Sequence, residues 1–142
     1  MYKRICCPID GSETAQRGLT EAIRLAADQG AQLCLVHVLD QGVMTTYTPL
    51  VQEVFIEIRQ AGHAMLETAR SLAAKQGVEA ETKLVEIFTG RAGPAIAETA
   101  QTLNADLIVM GTHGRRALER LVLGSDAIAV IGTATVPVLL VK

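Results

Sequence analysis

The residues best suited to chemistry are Gly111-Thr112-His113-Gly114, followed after nine residues by Gly124-Ser125. The first glycine follows the apolar run Leu107-Ile108-Val109-Met110, and the last pair opens a periodic stretch from Ala127 to Ile131. This order predicts a strand, a glycine-punctuated loop and a helix N-terminus. A helix start presents unpaired N–H groups and the positive end of the macrodipole, which together attract phosphate. Glycine lets the backbone approach an anion closely and adopt positive φ. The chemistry predicted is anion binding, in a cradle for the phosphates of a nucleotide. An ordinary turn and helix cap would use the same residue types; the spacing and Ser125 favour the cradle.

Other polar groups are weighed around it. Asp10 ends the first apolar run, where it would either face the cradle or serve as a turn residue and helix cap. Asp40 ends the second run and reads as a strand-ending turn, since no Gly-x-Gly-x-x-Gly follows the first strand. His113 is balanced between phosphate contact and solvated bystander. His37 reads as a packed, hydrogen-bonded histidine and His63 as a helix-surface residue. Arg115 or Arg116 could screen a triphosphate, while most of that arginine group, Arg120 included, reads as a solvated face. No histidines share metal-ligand spacing. There is no Gly-x4-Gly-Lys-Ser/Thr loop and no Ser–His–Asp set, so no catalytic residue is assigned.

Composition narrows the classes. A chain of 142 residues suits one domain, residues 1–142. Aromatics are scarce, so Ala, Leu, Ile and Val must build the interior. A net charge of −2 supplies no basic field for nucleic acid. No apolar run reaches the roughly 18–20 residues of a membrane span, and the start lacks a signal-peptide pattern. The three cysteines form no Cys-x-x-Cys pair, which fits a reducing cytoplasm. Cys6 and Cys7 are adjacent on a strand and should point to opposite faces.

The elements that must position these residues alternate strand and helix. Strands are predicted over Ile5–Ile9, Leu33–Leu39, Thr82–Phe88, Asp106–Met110 and Val136–Val141. Helices are predicted over Glu13–Gln29, with Ser12 as cap and Gly30 as stop, and over Val51–Gln76, stopped by Gly77. Two more run to about Leu103, with Pro94 in the first turn, and from Ser125 to Ile131. The stripe of the long helix is Val54, Phe55, Ile58, Met65, Leu66, Ala69 and Ala73, with Gly62 marking a close contact. Near-continuous Val/Ile/Leu strands between helices predict a parallel sheet covered on both faces, a doubly wound, Rossmann-like α/β domain. Ligands of such sheets bind beyond the carboxyl ends of the strands, where the winding reverses.

On these residues the chain resembles the universal stress protein family. Gly111-x2-Gly114-x9-Gly124-Ser125 matches the ATP-binding motif of that family. Pro8-Ile9-Asp10-Gly11-Ser12-Glu13, His37-Val38, the strand leading to Gly111 and Val136-Pro137-Val138-Leu139-Leu140-Val141 are similar to its other signatures. The resemblance covers about Tyr2 to Lys142. It implies the strand order 3-2-1-4-5 and ATP in the crevice; spacing alone leaves AMP or another adenine nucleotide, such as a cyclic one, open. It places Pro8, Ile9 and Asp10 beside the adenosine, Val38 at the adenine, and Met110 and Gly111 along ribose and phosphates. His113, Gly114, Gly124 and Ser125 would contact the phosphates.

The chain departs from the family pattern in two places. Cys6 and Cys7 stand where aliphatic residues are usual, a packing change. Asp126 stands where the family is usually uncharged. A carboxylate is favourable at a helix N-terminus, but beside a triphosphate it repels unless Mg²⁺ lies between.

The function expected is a nucleotide-dependent regulatory module of the stress response, acting on a protein partner the sequence does not identify. One alternative is a slow Mg²⁺-dependent ATPase. Another is a protein-interaction dimer with a vestigial pocket. The apolar terminal strand, blunted only by Pro137 and Lys142, would pair with a second copy, and the family commonly dimerises there.

Overall fold

The apolar runs pair side by side into one parallel sheet. In the computed structural model, which describes residues 1–42, 51–113 and 123–142, the strands are β1 (Arg4–Pro8), β2 (Gln32–Asp40), β3 (Ala80–Ile87), β4 (Leu107–Gly111) and β5 (Val138–Val141). The helices are α1 (Glu13–Gln29), α2 (Val51–Lys75), α3 (Ala92–Thr102) and α4 (Ser125–Thr133). The sheet order is β3-β2-β1-β4-β5 and every pairing is parallel. The direction of winding across the sheet therefore reverses between β1 and β4, as a doubly wound α/β fold requires. No described helix is long and apolar enough to cross a membrane.

Alternation along the strands divides the core. Cys7, Leu33, Leu35 and Val109 face α1 and α2, where Leu19, Ala22, Leu66 and Ala69 meet them. Cys6, Val36 and Ile108 face α3 and α4, against Ile96, Ala100 and Val130. The adjacent cysteines thus point to opposite faces, as strand geometry demands. Each fully buried Leu or Ile contributes about 1.5–3 kcal/mol, so the two aliphatic layers stand in for the missing aromatics.

Local signals set most boundaries. Ser12 Oγ accepts the Ala15 N–H at 3.2 Å, and Gly30 ends α1 at φ 64°. Gly77, at φ 73°, follows α2. Pro94 lies in the first turn of α3. Gly62 is the close contact expected: a Cβ there would lie 3.1 Å from His37 Cδ2 and 3.1 Å from Leu84 Cδ1.

Other boundaries differ from expectation, each for a tertiary reason. β4 starts after Asp106, because that carboxylate accepts the Lys3 and Arg4 N–H groups at 2.9 and 3.0 Å. Burial pushes the Asp106 carboxyl up, but those N–H groups outweigh it and hold it below its ordinary value. β5 starts at Val138, not Val136, since proline brings no N–H to the ladder and Pro137 contributes only its carbonyl, to Ile108 N. β3 runs from Ala80 to Ile87 and leaves Phe88 outside it, 62% exposed. In α2 only the later part of the predicted stripe is buried. Leu66, Ala69 and Ala73 are buried, but Val54 is 37% exposed, and Phe55, Ile58 and Met65 are half-buried.

The three cysteines are free thiols. Burial pushes Cys6 and Cys34 up to about 12, and Cys34 further feels the Glu81 carboxylate that its thiol touches. Cys7 is raised by burial and by its neighbour Cys6. In the folded state all three therefore stay protonated where an unfolded chain, at 9.0, begins to ionise. Stability is full below pH 9.0 and falls as pH rises from there toward about 12. Urea midpoints should decline across that window, less steeply in Cys6→Ala, and a thiol reagent at pH ~8 should label the protein only after denaturation.

Candidate functional site

Beyond the carboxyl ends of β1 and β4, β1 leaves the sheet through a tight turn. Asp10 Oδ1 accepts the Ser12 N–H at 2.8 Å, and Gly11 between them takes φ 81°, a value glycine adopts without steric cost. Ile9 is fixed to β2 twice. Its N–H donates to Val36 O at 2.8 Å, and its carbonyl lies 2.7 Å from His37 Nδ1. A carbonyl can only accept, so His37 carries its proton on Nδ1. His37 is buried and acts as a strut for the loop. His63 lies exposed on α2.

A cavity opens at this reversal point. From β1 and its turn come Pro8, Ile9 and Asp10; from β2, Val38; from β4 and beyond, Met110, Gly111 and His113; from α4, Asp126. Its empty volume is ≈ 560 Å³ counting the open mouth, within the usual range for small-molecule sites. Eight of the residues singled out from sequence thus converge. Gly124 and Ser125 adjoin the cavity without lining it: Gly124 is the N-cap of α4 and Ser125 its first residue. Gly114 and Arg115 lie outside the described residues, as do Arg116 and Arg120.

Sequence reading missed Ala15, Ala92, Ile96 and Ala127, which complete the wall from three helices. Ala92 and Ile96 stand four apart on α3, one helical face; that spacing is visible in the sequence, but only the packing of α3 against α4 turns it toward the cavity. Gly93 permits that packing, because a Cβ there would lie 2.5 Å from Ala129 Cβ. Asp40 is the strand-ending turn: its Oδ1 accepts the Gly42 N–H at 2.9 Å, and it does not line the cavity.

The glycines act differently from expectation. Gly124 has φ −62°, and Gly111 is not among the positive-φ residues, so neither is there for left-handed backbone. Gly111 is needed for space. A Cβ on it would sit 2.6 Å from Thr14 C and 2.7 Å from Ala15 N, inside the backbone of α1. Gly18, one turn on, likewise lies with its Cβ position 3.1 Å from Gly111 N. With α1 this close, Thr14 Oγ1 donates to His113 O, while Thr112 Oγ1 lies 2.7 Å from His113 Nδ1.

Among the described residues no lysine or arginine lines the cavity, and no three His, Cys, Asp or Glu residues form a metal-binding group. The positive potential these residues supply is that of the α4 N-terminus, with Asp126 in its first turn. The arrangement can bind a flat apolar group between Val38, Ile96 and Met110 and direct an anionic group toward α4.

A parallel sheet of this order, with a cavity at the point of reversal, defines a Rossmann-like α/β protein. The chain matches the Universal stress protein family over residues 1–142 and belongs to it. It is 33% identical to the universal stress protein YxiE of Bacillus subtilis, over 100% of both chains. The solved structure of the protein MJ0577 superposes with a TM-score of 0.88 at 27% identity, covering 100% of this chain and 96% of that one. A universal stress protein from Archaeoglobus fulgidus in complex with dAMP gives a TM-score of 0.71 at 30% identity, over 99% and 98% of the chains. The crystal structure of a universal stress protein in complex with cAMP gives a TM-score of 0.74 at 25% identity, over 99% and 97% of the chains.

Gly111→Ala should force α1 away from β4. Overpacking of this kind costs about 1–3 kcal/mol, so a lowered urea midpoint is expected, with unchanged slope. A midpoint equal to wild type would show that the contact has room to spare.

Proposed function

We propose that this chain binds an adenine nucleotide, ATP foremost, and acts as a nucleotide-dependent regulatory module. The observation that carries the reading is the convergence of Pro8, Ile9, Asp10, Val38, Met110, Gly111, His113 and Asp126 on one cavity beside the N-terminus of α4. The dAMP and cAMP complexes of relatives support the adenine end of the reading. The motif from Gly111 to Ser125 supports a polyphosphate at the other end. Adenine would lie against the apolar wall of Val38, Ile96 and Met110. Phosphates would meet the α4 N-terminus, where orphan N–H groups and the dipole favour negative charge.

Asp126 and Asp10 line the same cavity, a donor set that suits Mg²⁺. That ion is ordinarily held by one or two carboxylates together with substrate phosphates. When bound, Mg²⁺ would neutralise phosphate charge beside Asp126. We assign no catalytic residue, and regulation rather than turnover is the function proposed.

The module acts as a homodimer. β5 is an edge strand, and the apolar residues Leu139, Ile128 and Ile131 are exposed on it and on α4 beside it, at 38%, 56% and 49%. Pairing of β5 with its two-fold copy satisfies the open edge and covers those side chains.

Nucleotide released from freshly purified protein on denaturation should be adenine-based, near one per chain. Emptied protein should bind ATP with micromolar Kd, about −8 kcal/mol, more tightly with Mg²⁺ than without. Ala92→Trp, which fills the apolar wall, should weaken binding at least about tenfold while the urea midpoint holds. Protein that ignores ATP, AMP and cAMP up to millimolar overturns the reading. Sedimentation of a monomer at micromolar concentration overturns the dimer.

A further inference from the structure

We infer that Thr112 is a positioning residue of this site: its hydroxyl sets the tautomer of His113, so that a neutral imidazole presents Nε2–H to a phosphate oxygen. The inference rests on the nucleotide reading above and extends it to a residue outside the set of ligand contacts.

Thr112 is only 6% exposed, and each of its polar groups is engaged. Its N–H donates to Val141 O at 2.9 Å, which carries the β4–β5 ladder one residue past β4. Its carbonyl accepts the Gly124 N–H at 2.6 Å, which brings the start of α4 beside His113. Its hydroxyl lies 2.7 Å from His113 Nδ1, and among the described residues that nitrogen is the hydroxyl's only partner. A buried hydroxyl proton needs an acceptor more than its oxygen needs a second donor. Thr112 Oγ1–H therefore donates, Nδ1 accepts, and the ring proton sits on Nε2.

The other half of His113 is held as well. Thr14 Oγ1, from the first turn of α1, donates to His113 O. Peptide and ring are thus fixed by two threonines that are 98 positions apart in the chain, from 14 to 112. His113 is half-buried and lines the cavity. With Nδ1 committed to Thr112, Nε2 is the nitrogen left to a ligand. A donor whose tautomer and orientation are set in advance binds an acceptor without reorganising. In the other tautomer Nε2 would be a lone pair facing phosphate oxygens.

The test combines a nucleotide-free spectrum with paired titrations. In ¹⁵N-histidine-labelled protein near neutral pH, with His113 assigned by its loss in His113→Gln, Nδ1 should show the shift of an unprotonated nitrogen and Nε2 that of N–H. Thr112→Val should mix the tautomers and Thr112→Ser restore the original. Thr112→Val should also weaken ATP about tenfold, the scale of one hydrogen bond, and leave adenosine, which has no phosphate, unchanged. Combined with His113→Gln, it should add nothing.

A wild-type ring protonated on Nδ1, or equal losses for ATP and adenosine, overturns the proposal. The wild-type spectrum needs no variant, so a poorly folded Thr112→Val leaves the tautomer testable. Wild-type protein that takes up no nucleotide overturns the proposed function and the phosphate role with it; the spectrum then decides separately whether Thr112 sets the ring.

Discussion

Gly111 lies against the backbone of Thr14 and Ala15 with no room for a single methyl group. The geometry of the site depends on this contact. Because Gly18 and Gly111 both lack side chains, the first turns of α1 rest directly on the end of β4. From there Thr14 reaches the carbonyl of His113, and Ala15 forms part of the cavity wall. The same helix start is fixed by Ser12, whose N–H is held by Asp10. The turn after β1 and the segment after β4 are thereby locked to one helix terminus. Interiors are packed densely enough that such contacts transmit position rather than absorb it.

Charge at the site is organised by backbone more than by side chains. Asp10 spends one carboxylate oxygen on the turn that carries it, and Asp126 sits in the first turn of α4, where the dipole favours a carboxylate. Two acids beside an anion-attracting helix end form a balanced pair of opposing fields. Under the proposed function, a divalent cation shared between carboxylate and phosphate would resolve that balance. The walls opposite are aliphatic, so they can cover a flat ring but offer no polar group to an anion.

Strand and helix order, the two-faced burial of Cys6 and Cys7, the Ser12 cap and the Gly30 stop were legible because each is a local pattern with a short period or a fixed neighbour. Eight of the residues singled out converge on one cavity: Asp10 and Gly111 could be placed there because they follow strand ends, where an open α/β sheet puts its ligands, whereas Pro8, Ile9, Val38, Met110 and His113 came from the family resemblance. What escaped was set at a distance in sequence. The exposure of Val54 depends on how far α2 extends over the sheet. The late start of β5 depends on where Pro137 meets Ile108. Ala92 and Ile96 are ordinary helix residues until α3 packs on α4 through Gly93.

The sequence by itself determined the alternation of elements and the parallel class of the sheet, since hydrophobic period is a property of contiguous residues. It could not say why Gly111 is glycine. Spacing offered phosphate approach as the reason; the folded chain adds another, the packing of α1, from residues nearly a hundred positions away. Only the tertiary structure decided that, along with the pairing of Thr112 with both Val141 and Gly124. These contacts join segments that are far apart along the chain and meet only after the sheet has formed.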